Sequence, residues 1–126
     1  MRKTNVLRIL EAANIAFTAR EYDVSDGEIS GVAVAEKIGQ EPDRVFKTLV
    51  TEGKTTGLNV FVIPSNVELD LKKAASAAGD KYVEMLKSRE LEPKTGYVHG
   101  GCIGLQIELS PDNLAKLTDA KFYDLF

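Results

Sequence analysis

The stretch Asp43-Arg44-Val45-Phe46-Lys47-Thr48-Leu49-Val50 decides much of the fold, because its apolar and polar residues alternate with the period of a β-strand. On such a strand Lys47 lies between Val45 and Leu49 on one face, and Thr48 lies on the other. An ammonium group between two apolar side chains loses water unless a polar partner or a pocket receives it, and such lysines serve in sites that bind carbonyl groups. The alternative is a lysine on an edge strand, whose stem covers apolar surface while its head reaches solvent. The strand is therefore predicted, and the role of its lysine stays open at this point.

Capping and turn residues divide the rest of the chain into short elements. Helices are predicted to begin at Thr4, at Ser30 or Gly31, at Asp70 and at Ser110, with Asn14, Gly39 and Gly79 at the ends of the first three. A single helical turn, Ser88–Leu91, is expected to stop before Pro93. The other predicted strands are Ile15–Tyr22, Leu58–Ile63, Tyr82–Met85, Tyr97–His99 and Leu105–Leu109. Because helices and strands mix without a steady βαβ order, the sequence predicts an α+β domain with a mixed sheet.

The composition is that of an ordinary soluble globular protein. The 126 residues suffice for one domain over residues 1–126, and no apolar run approaches the roughly 20 residues that a membrane helix needs. One cysteine excludes an internal disulfide and fits a reducing cytoplasm. The net charge of −3 argues against a general nucleic-acid coat protein. A local basic patch stays possible, with a solvated surface as the alternative, because six cations crowd the middle of the chain: Lys72, Lys73, Lys81, Lys87, Arg89 and Lys94.

The inventory of conventional catalytic side chains is small. His99 and Cys102 are the single histidine and the single cysteine. Residues three apart on a strand face opposite sides, so a nucleophilic pair forms only if the neighbouring glycines bend the chain. One histidine and one cysteine cannot supply the three or four soft ligands of a zinc site. The adjacent Gly100 and Gly101 could bring backbone N–H groups close to a ligand, as an oxyanion or carboxylate cradle requires, or could simply form a tight turn.

Taken together, these segments resemble the YbaK family of aminoacyl-tRNA editing proteins, the free-standing relatives of the insertion domain of prolyl-tRNA synthetases. The likeness covers nearly the whole chain and is carried by Val45–Leu49, Pro64 with Glu68–Ala75 and Gly79, Val83–Met85, Thr95–Cys102, and Gly104–Leu109. The resemblance implies an α+β fold with a curved, mixed, largely antiparallel sheet flanked by helices. It also implies an enzyme that removes a wrong amino acid, typically cysteine or alanine, from tRNA for proline.

The resemblance further assigns roles to particular residues. The invariant lysine of the family falls on Lys47, the threonine that follows it on Thr48, and the pocket tyrosine on Tyr22. The glycine loop that holds the reacting end of the substrate falls on Gly100 and Gly101. In the cysteine-editing branch the thiol of the substrate attacks its own ester and releases a thiolactone, whereas in the alanine-editing branch water must be the nucleophile. Neither route needs a catalytic cysteine, a metal or another cofactor.

The chain departs from the family after its double glycine. In the family this segment continues into a loop and further strand-forming residues, whereas here Cys102 runs directly into Ile103. The resemblance therefore predicts a missing segment of a few tens of residues between these two positions. Either this chain has lost the segment, or the segment belongs to the full protein and is absent from the sequence.

Two functional readings from different classes follow. The first is a cytoplasmic, trans-acting deacylase that clears mischarged tRNA(Pro), above all Cys-tRNA(Pro), and contacts the aminoacyl-tRNA acceptor end beside prolyl-tRNA synthetase. The second is a non-catalytic module that keeps the editing fold as a regulator or adaptor. A third and weaker option is a thiol-based protein that uses Cys102. Neither a membrane nor DNA is expected as a partner.

Overall fold

The computed structural model describes residues 5–95 and 105–126. Its helices are α1 Asn5–Ala12, α2 Gly31–Ile38, α3 Leu71–Ala78, α4 Ser88–Thr95 and α5 Pro111–Thr118, and a 3-10 turn spans Pro42–Arg44. Its strands are β1 Thr18–Glu21, β2 Phe46–Gly53, β3 Gly57–Pro64, β4 Val83–Met85 and β5 Leu105–Glu108. Helices and strands thus mix as the sequence predicts, and the α+β class is confirmed.

The described strands form two antiparallel sheets. One contains β1 and β5, and the other has the order β3-β2-β4. The hairpin of β2 and β3 pairs eight residues on each side, from Phe46 opposite Pro64 to Gly53 opposite Gly57. By contrast, β4 pairs only with Thr51–Gly53 at the end of β2. The three-stranded sheet therefore consists mainly of one long hairpin, and β4 pairs with only part of the second edge of β2.

The core lies on the face of β2 and β3 that carries Lys47. Opposite residues of an antiparallel pair point to the same side, so this face also contains Ile63, which is 1% exposed, and Phe61. Helix α3 covers it, because Ala74 and Ala75 pack against Phe61 and Val83. Small side chains on α3 let the helix backbone approach the sheet closely. The position of Lys47 is thus set by the same packing that forms the core.

The helix ends follow the capping residues. The Ser30 hydroxyl accepts a hydrogen bond from the Ala33 N–H, and the Asp70 carboxylate accepts from the N–H groups of the second and third residues of α3. At the other ends Gly39 and Gly79 adopt positive φ angles of 72° and 75°. Ser110 stands at the start of α5 but makes no side-chain capping bond there, and Pro111 fills the first helical position.

Two predicted elements differ clearly from the structure in their extent. The helical turn expected to stop before Pro93 continues to Thr95 as α4. Pro93 is the sixth residue of this short helix, so its ring removes one intrahelical hydrogen bond, and side chains support the last turn instead. The Lys94 ammonium lies 3.0 Å from the Glu90 carboxylate and 2.8 Å from that of Glu52 on β2. The first predicted strand is also shorter than expected, because the N–H of Ile15 still bonds to the Leu10 carbonyl and β1 begins only at Thr18.

Candidate active site around Lys47

Lys47 is half-buried at the edge of the core. Buried Val45, the residue just before β2, and half-buried Leu49 on β2 flank it along the chain, and Ile63 stands directly opposite on β3. Its stem therefore lies among apolar side chains, as the alternation of the sequence predicts. Among the described residues, none forms a hydrogen bond or ion pair with its ammonium group. The arrangement offers a cation with donor capacity at the margin of an apolar surface.

Among the described residues, β4 is the strand that pairs with the second edge of β2, and it stops short of Lys47. The pairing of β4 ends at Thr51, and one further bond runs from the Leu86 N–H to the Val50 carbonyl. No strand in the described part of the chain lies next to residues 46–49 on that side.

Thr48 lies on the opposite face from Lys47. It stands across from Val62, next to Phe46, and all three side chains are exposed. A substrate beside the Lys47 ammonium would thus meet Thr48 through its backbone, and would meet its hydroxyl only from the other side of the sheet. The two residues are adjacent in the sequence, but the strand does not bring their side chains together.

Tyr22 is half-buried and lies at the end of the two-stranded sheet formed by β1 and β5. It follows β1 immediately, one residue after Glu21, which pairs with Leu105 of β5. After it the chain enters a largely exposed loop that leads to α2. The structure places Tyr22 at the end of a paired strand, and its assigned contact with the substrate stays a prediction.

Lys37, on α2, is a residue that sequence reasoning missed. Its ammonium donates to the Asp23 carbonyl at 2.7 Å, to the Asp26 carboxylate at 2.8 Å and to the Glu28 carbonyl at 2.9 Å. The hydrogen bond from Lys37 is the main reason that the pKa of Asp26 lies below its usual range. The turn residues Asp23-Val24-Ser25-Asp26-Gly27 were a signal for a loop, but nothing in the sequence linked them to a lysine ten or more residues later.

The remaining predicted site residues lie outside the described residues. These are Gly100 and Gly101, together with His99, Cys102 and the junction to Ile103. Their assigned roles, the thiol option and the missing segment all stay predictions.

Part of the predicted basic patch is engaged in ion pairs. Lys73 lies 3.0 Å from Asp124, and Lys94 pairs with Glu52 and Glu90. The other members, Lys72, Lys81, Lys87 and Arg89, are exposed. The four cations outside these ion pairs are spread over α3, the residues on either side of β4, and α4.

Within residues 5–95 and 105–126, no three or more His, Cys, Asp or Glu side chains come together as a metal site would require. In the same part of the chain, no helix has the length and apolar character needed to cross a membrane.

A family model for the aminoacyl-tRNA editing domain matches residues 30–124. The chain belongs to this family. The matched region contains β2 with Lys47 and Thr48 and the segment of Gly100 and Gly101, whereas Tyr22 precedes it. The membership confirms the resemblance found in the sequence and the prediction of an editing enzyme.

The chain is also similar to two individual proteins and to a solved structure. The chain is 39% identical to a protein of Enterococcus faecalis named "Putative Cys-tRNA(Pro)/Cys-tRNA(Cys) deacylase EbsC", over 98% of this chain and 93% of the relative. It is 28% identical to the uncharacterized protein YwhH of Bacillus subtilis, over 85% of this chain and 69% of that protein. A crystal structure of "a putative trans-editing enzyme for prolyl tRNA synthetase" has the same fold, with a TM-score of 0.76 and 20% identity over 95% of this chain and 93% of that one.

The alignment with EbsC is longer than this chain. It runs over 153 positions, whereas the chain has 126 residues. The relative therefore contains residues that have no counterpart here, and the predicted missing segment between Cys102 and Ile103 stays a prediction.

Proposed function

We propose that this protein is a trans-acting aminoacyl-tRNA deacylase, a single editing domain over residues 1–126 that clears mischarged tRNA(Pro), with Cys-tRNA(Pro) as its main substrate. The observation that carries the proposal is the Lys47 ammonium, which lies at the margin of the core with no partner among the described residues. The editing family and the name of the E. faecalis relative support the substrate class.

The chemistry requires few catalytic groups from the protein. The thiol sulfur of the bound cysteinyl ester attacks the ester carbonyl, so a C–S bond forms and the C–O bond to the ribose breaks. The thiol proton ends on the ribose oxygen, and the products are a thiolactone and tRNA with a free hydroxyl. A well-oriented intramolecular nucleophile has an effective molarity of up to ~10⁵ M or more, so positioning alone accounts for much of the acceleration.

Lys47 stabilises the developing oxyanion in this mechanism. An ammonium beside apolar side chains interacts more strongly with a new negative charge than one in bulk water does, because the local dielectric is lower. Gly100 and Gly101 hold the aminoacyl end through backbone N–H groups, and Tyr22 and Thr48 supply polar contacts. Thr48 makes its contact through the backbone, because its side chain faces the other side of β2.

The proposed partners are the acceptor end of the aminoacyl-tRNA and prolyl-tRNA synthetase, in the cytoplasm. A net charge of −3 does not favour independent binding of a whole tRNA. A protein that grips only the acceptor end and shares tRNA affinity with a synthetase does not need a basic surface.

The second candidate function is a non-catalytic module that binds the same partners. The alignment with EbsC favours it, because residues of that relative have no counterpart in this chain. If those residues of EbsC complete the substrate pocket, this chain has the editing fold without the deacylase activity.

The deciding experiment is a substrate panel at matched concentrations. The purified protein is incubated with Cys-, Ser-, Ala- and Pro-tRNA(Pro), and both ester loss and the small-molecule product are followed. Ser-tRNA(Pro) is the matched control, because its side chain has nearly the same shape with a much weaker nucleophile. Rapid loss of the cysteinyl ester alone, with thiolactone as product, supports the proposal. Loss of the alanyl ester supports the water route, and loss of none favours the binding module.

A further inference from the structure

Lys37 is enclosed by the loop that follows Tyr22. Its side chain is 20% exposed, and its three N–H donors are matched by three oxygen atoms of the loop, those of Asp23, Asp26 and Glu28. Two of these acceptors are backbone carbonyls. The lysine therefore fixes the path of the main chain, and it does more than form a surface ion pair.

The loop is folded around this ammonium by its own short-range bonds. The Asp23 carboxylate accepts from the N–H and hydroxyl of Ser25, and the Asp26 carboxylate accepts from the Glu28 N–H at 3.0 Å. Gly27, with a φ angle of 74°, closes the turn back to the Val24 carbonyl. These bonds present the three acceptors to one point, which the Lys37 ammonium occupies.

Tyr22 lies between two fixed positions of the main chain. On its N-terminal side Glu21 is held by pairing with Leu105, and on its C-terminal side Lys37 holds the Asp23 carbonyl. Fixing the backbone on both sides sets the direction of the Cα–Cβ bond of Tyr22 and restricts the rotamers that its ring can adopt. Removing one of the two anchors frees the backbone next to it.

The helix that carries Lys37 also leads directly to Lys47. After α2 and Gly39 the chain forms the 3-10 turn Pro42–Arg44 and enters β2. This connection is held in place, because Ser65 donates its hydroxyl to the Pro42 carbonyl and its N–H to the Val45 carbonyl, each at 2.7 Å. Lys37 therefore ties the Tyr22 segment to the element that positions Lys47.

We propose that Lys37 is a positioning residue, which holds the Tyr22 segment against α2 so that Tyr22 meets the aminoacyl end of the substrate in a fixed orientation. The part of the inference that concerns substrate rests on the proposed function. Lys37 does not touch the substrate itself, because its three donors are already used by the loop.

The test separates this role from a contribution to stability alone. A variant that is only less stable contains less active enzyme, so its apparent kcat falls while KM stays unchanged. Misplacing a group that contacts the substrate weakens binding and raises KM. Lys37→Met keeps most of the side-chain volume and removes the donors. Lys73→Met is the matched control, because Lys73 similarly ties a distant segment, donating to Asp124 at 3.0 Å and to the Phe126 carbonyl at 2.8 Å.

The kinetic expectation follows from the loss of a substrate contact. Lys37→Met should raise KM for Cys-tRNA(Pro) roughly tenfold with kcat changed less than about twofold, the size of one lost hydrogen-bonding contact. Tyr22→Phe should raise KM by a similar factor. The KM of the double variant should be no higher than that of the single variant with the higher KM, because both changes remove the same interaction. Lys73→Met should leave KM unchanged.

Hydrogen exchange of the backbone amides in residues 22–29 tests, without any substrate, whether Lys37 holds this segment in place, which is the structural half of the inference. Exchange there should accelerate about tenfold or more in Lys37→Met, because the loop loses its central partner. If that variant does not fold, Asp26→Ala removes one of the three acceptors, leaves Lys37 in place, and should shift KM and exchange in the same direction.

Each of these measurements tests a separate part of the inference. An unchanged KM in Lys37→Met or Asp26→Ala, with an active wild-type protein, overturns the inference and leaves the proposed function standing. Additive effects of Lys37→Met and Tyr22→Phe overturn it as well, because Lys37 would then act by another route. An inactive wild-type protein overturns the proposed function and, with it, the inference that Lys37 orients Tyr22 towards the substrate. Unchanged hydrogen exchange in residues 22–29 of Lys37→Met overturns the structural half of the inference.

Discussion

Replacing Lys47 by methionine should remove catalysis and leave the fold almost unchanged. Methionine keeps most of the apolar stem that lies beside Val45 and Ile63, and it removes only the charged end. No described residue pairs with that end, so the substitution leaves no buried charge without a partner. The free energy of unfolding should therefore change by less than about 1 kcal/mol. Lys47→Ala also removes three methylene groups that are half-buried, and should cost about 1 kcal/mol.

The catalytic effect should be much larger than the effect on stability. If Lys47 stabilises the oxyanion, its removal should lower kcat by about 10²–10³-fold, the effect of losing one oxyanion donor. The alanine variant should lose activity to the same extent, because both variants lack the ammonium. The assay is single-turnover deacylation of Cys-tRNA(Pro), with urea unfolding of each variant in parallel.

Two results would refute this reasoning. A kcat in Lys47→Met within about twofold of the wild type would remove Lys47 from the mechanism. A loss of more than about 3 kcal/mol of unfolding free energy would show that the ammonium has a buried partner in the folded protein. Lys72→Met is the control, since Lys72 is exposed on α3 and its loss should change neither quantity.

Three further predictions concern the scaffold. Hydrogen bonds from the loop at residues 55–56 hold the pKa of Asp80 below its usual range. The Asp80 carboxylate therefore stabilises the fold fully above about pH 4, and this contribution is lost as the pH falls further. Below pH 4 the urea midpoint of Asp80→Asn should fall less steeply than that of the wild type, and equal slopes would contradict this. Ile63→Ala should cost about 2–5 kcal/mol in urea unfolding, whereas Val60→Ala, at a position 62% exposed on the same strand, should cost less than about 0.5 kcal/mol. Gly31→Ala should cost about 1–3 kcal/mol, because its Cβ would overlap that of Ser65, and a melting temperature equal to the wild type would contradict this.

Elements marked by local chemistry could be predicted from the sequence. Ser30 and Gly39 bound α2, and Asp70 and Gly79 bound α3, because a cap and a left-handed glycine act within one turn of the chain. Alternation over a few residues likewise identified β2 and the apolar flanks of Lys47. Family-level motifs then identified the editing domain.

Interactions between distant segments could not be predicted in this way. Helix α4 continues through Pro93 partly because Lys94 reaches Glu52, which is 42 residues away. The turn between β2 and β3 depends on Asp80, whose carboxylate accepts from Thr56 across 24 residues. No local pattern contains these pairs, since each depends on how the elements pack.

The sequence by itself determined the element types, the α+β class, the editing family and the strand on which Lys47 lies. These follow from turns, caps and periodicities that span only a few residues, and from motifs in a fixed order. Only the tertiary structure decided that Lys47 stands opposite Ile63 at the edge of the core, and that Lys37 holds the segment after Tyr22. Register and long-range hydrogen bonds arise when distant elements compete to bury their apolar faces and satisfy their polar groups, and that competition is settled only in the folded chain.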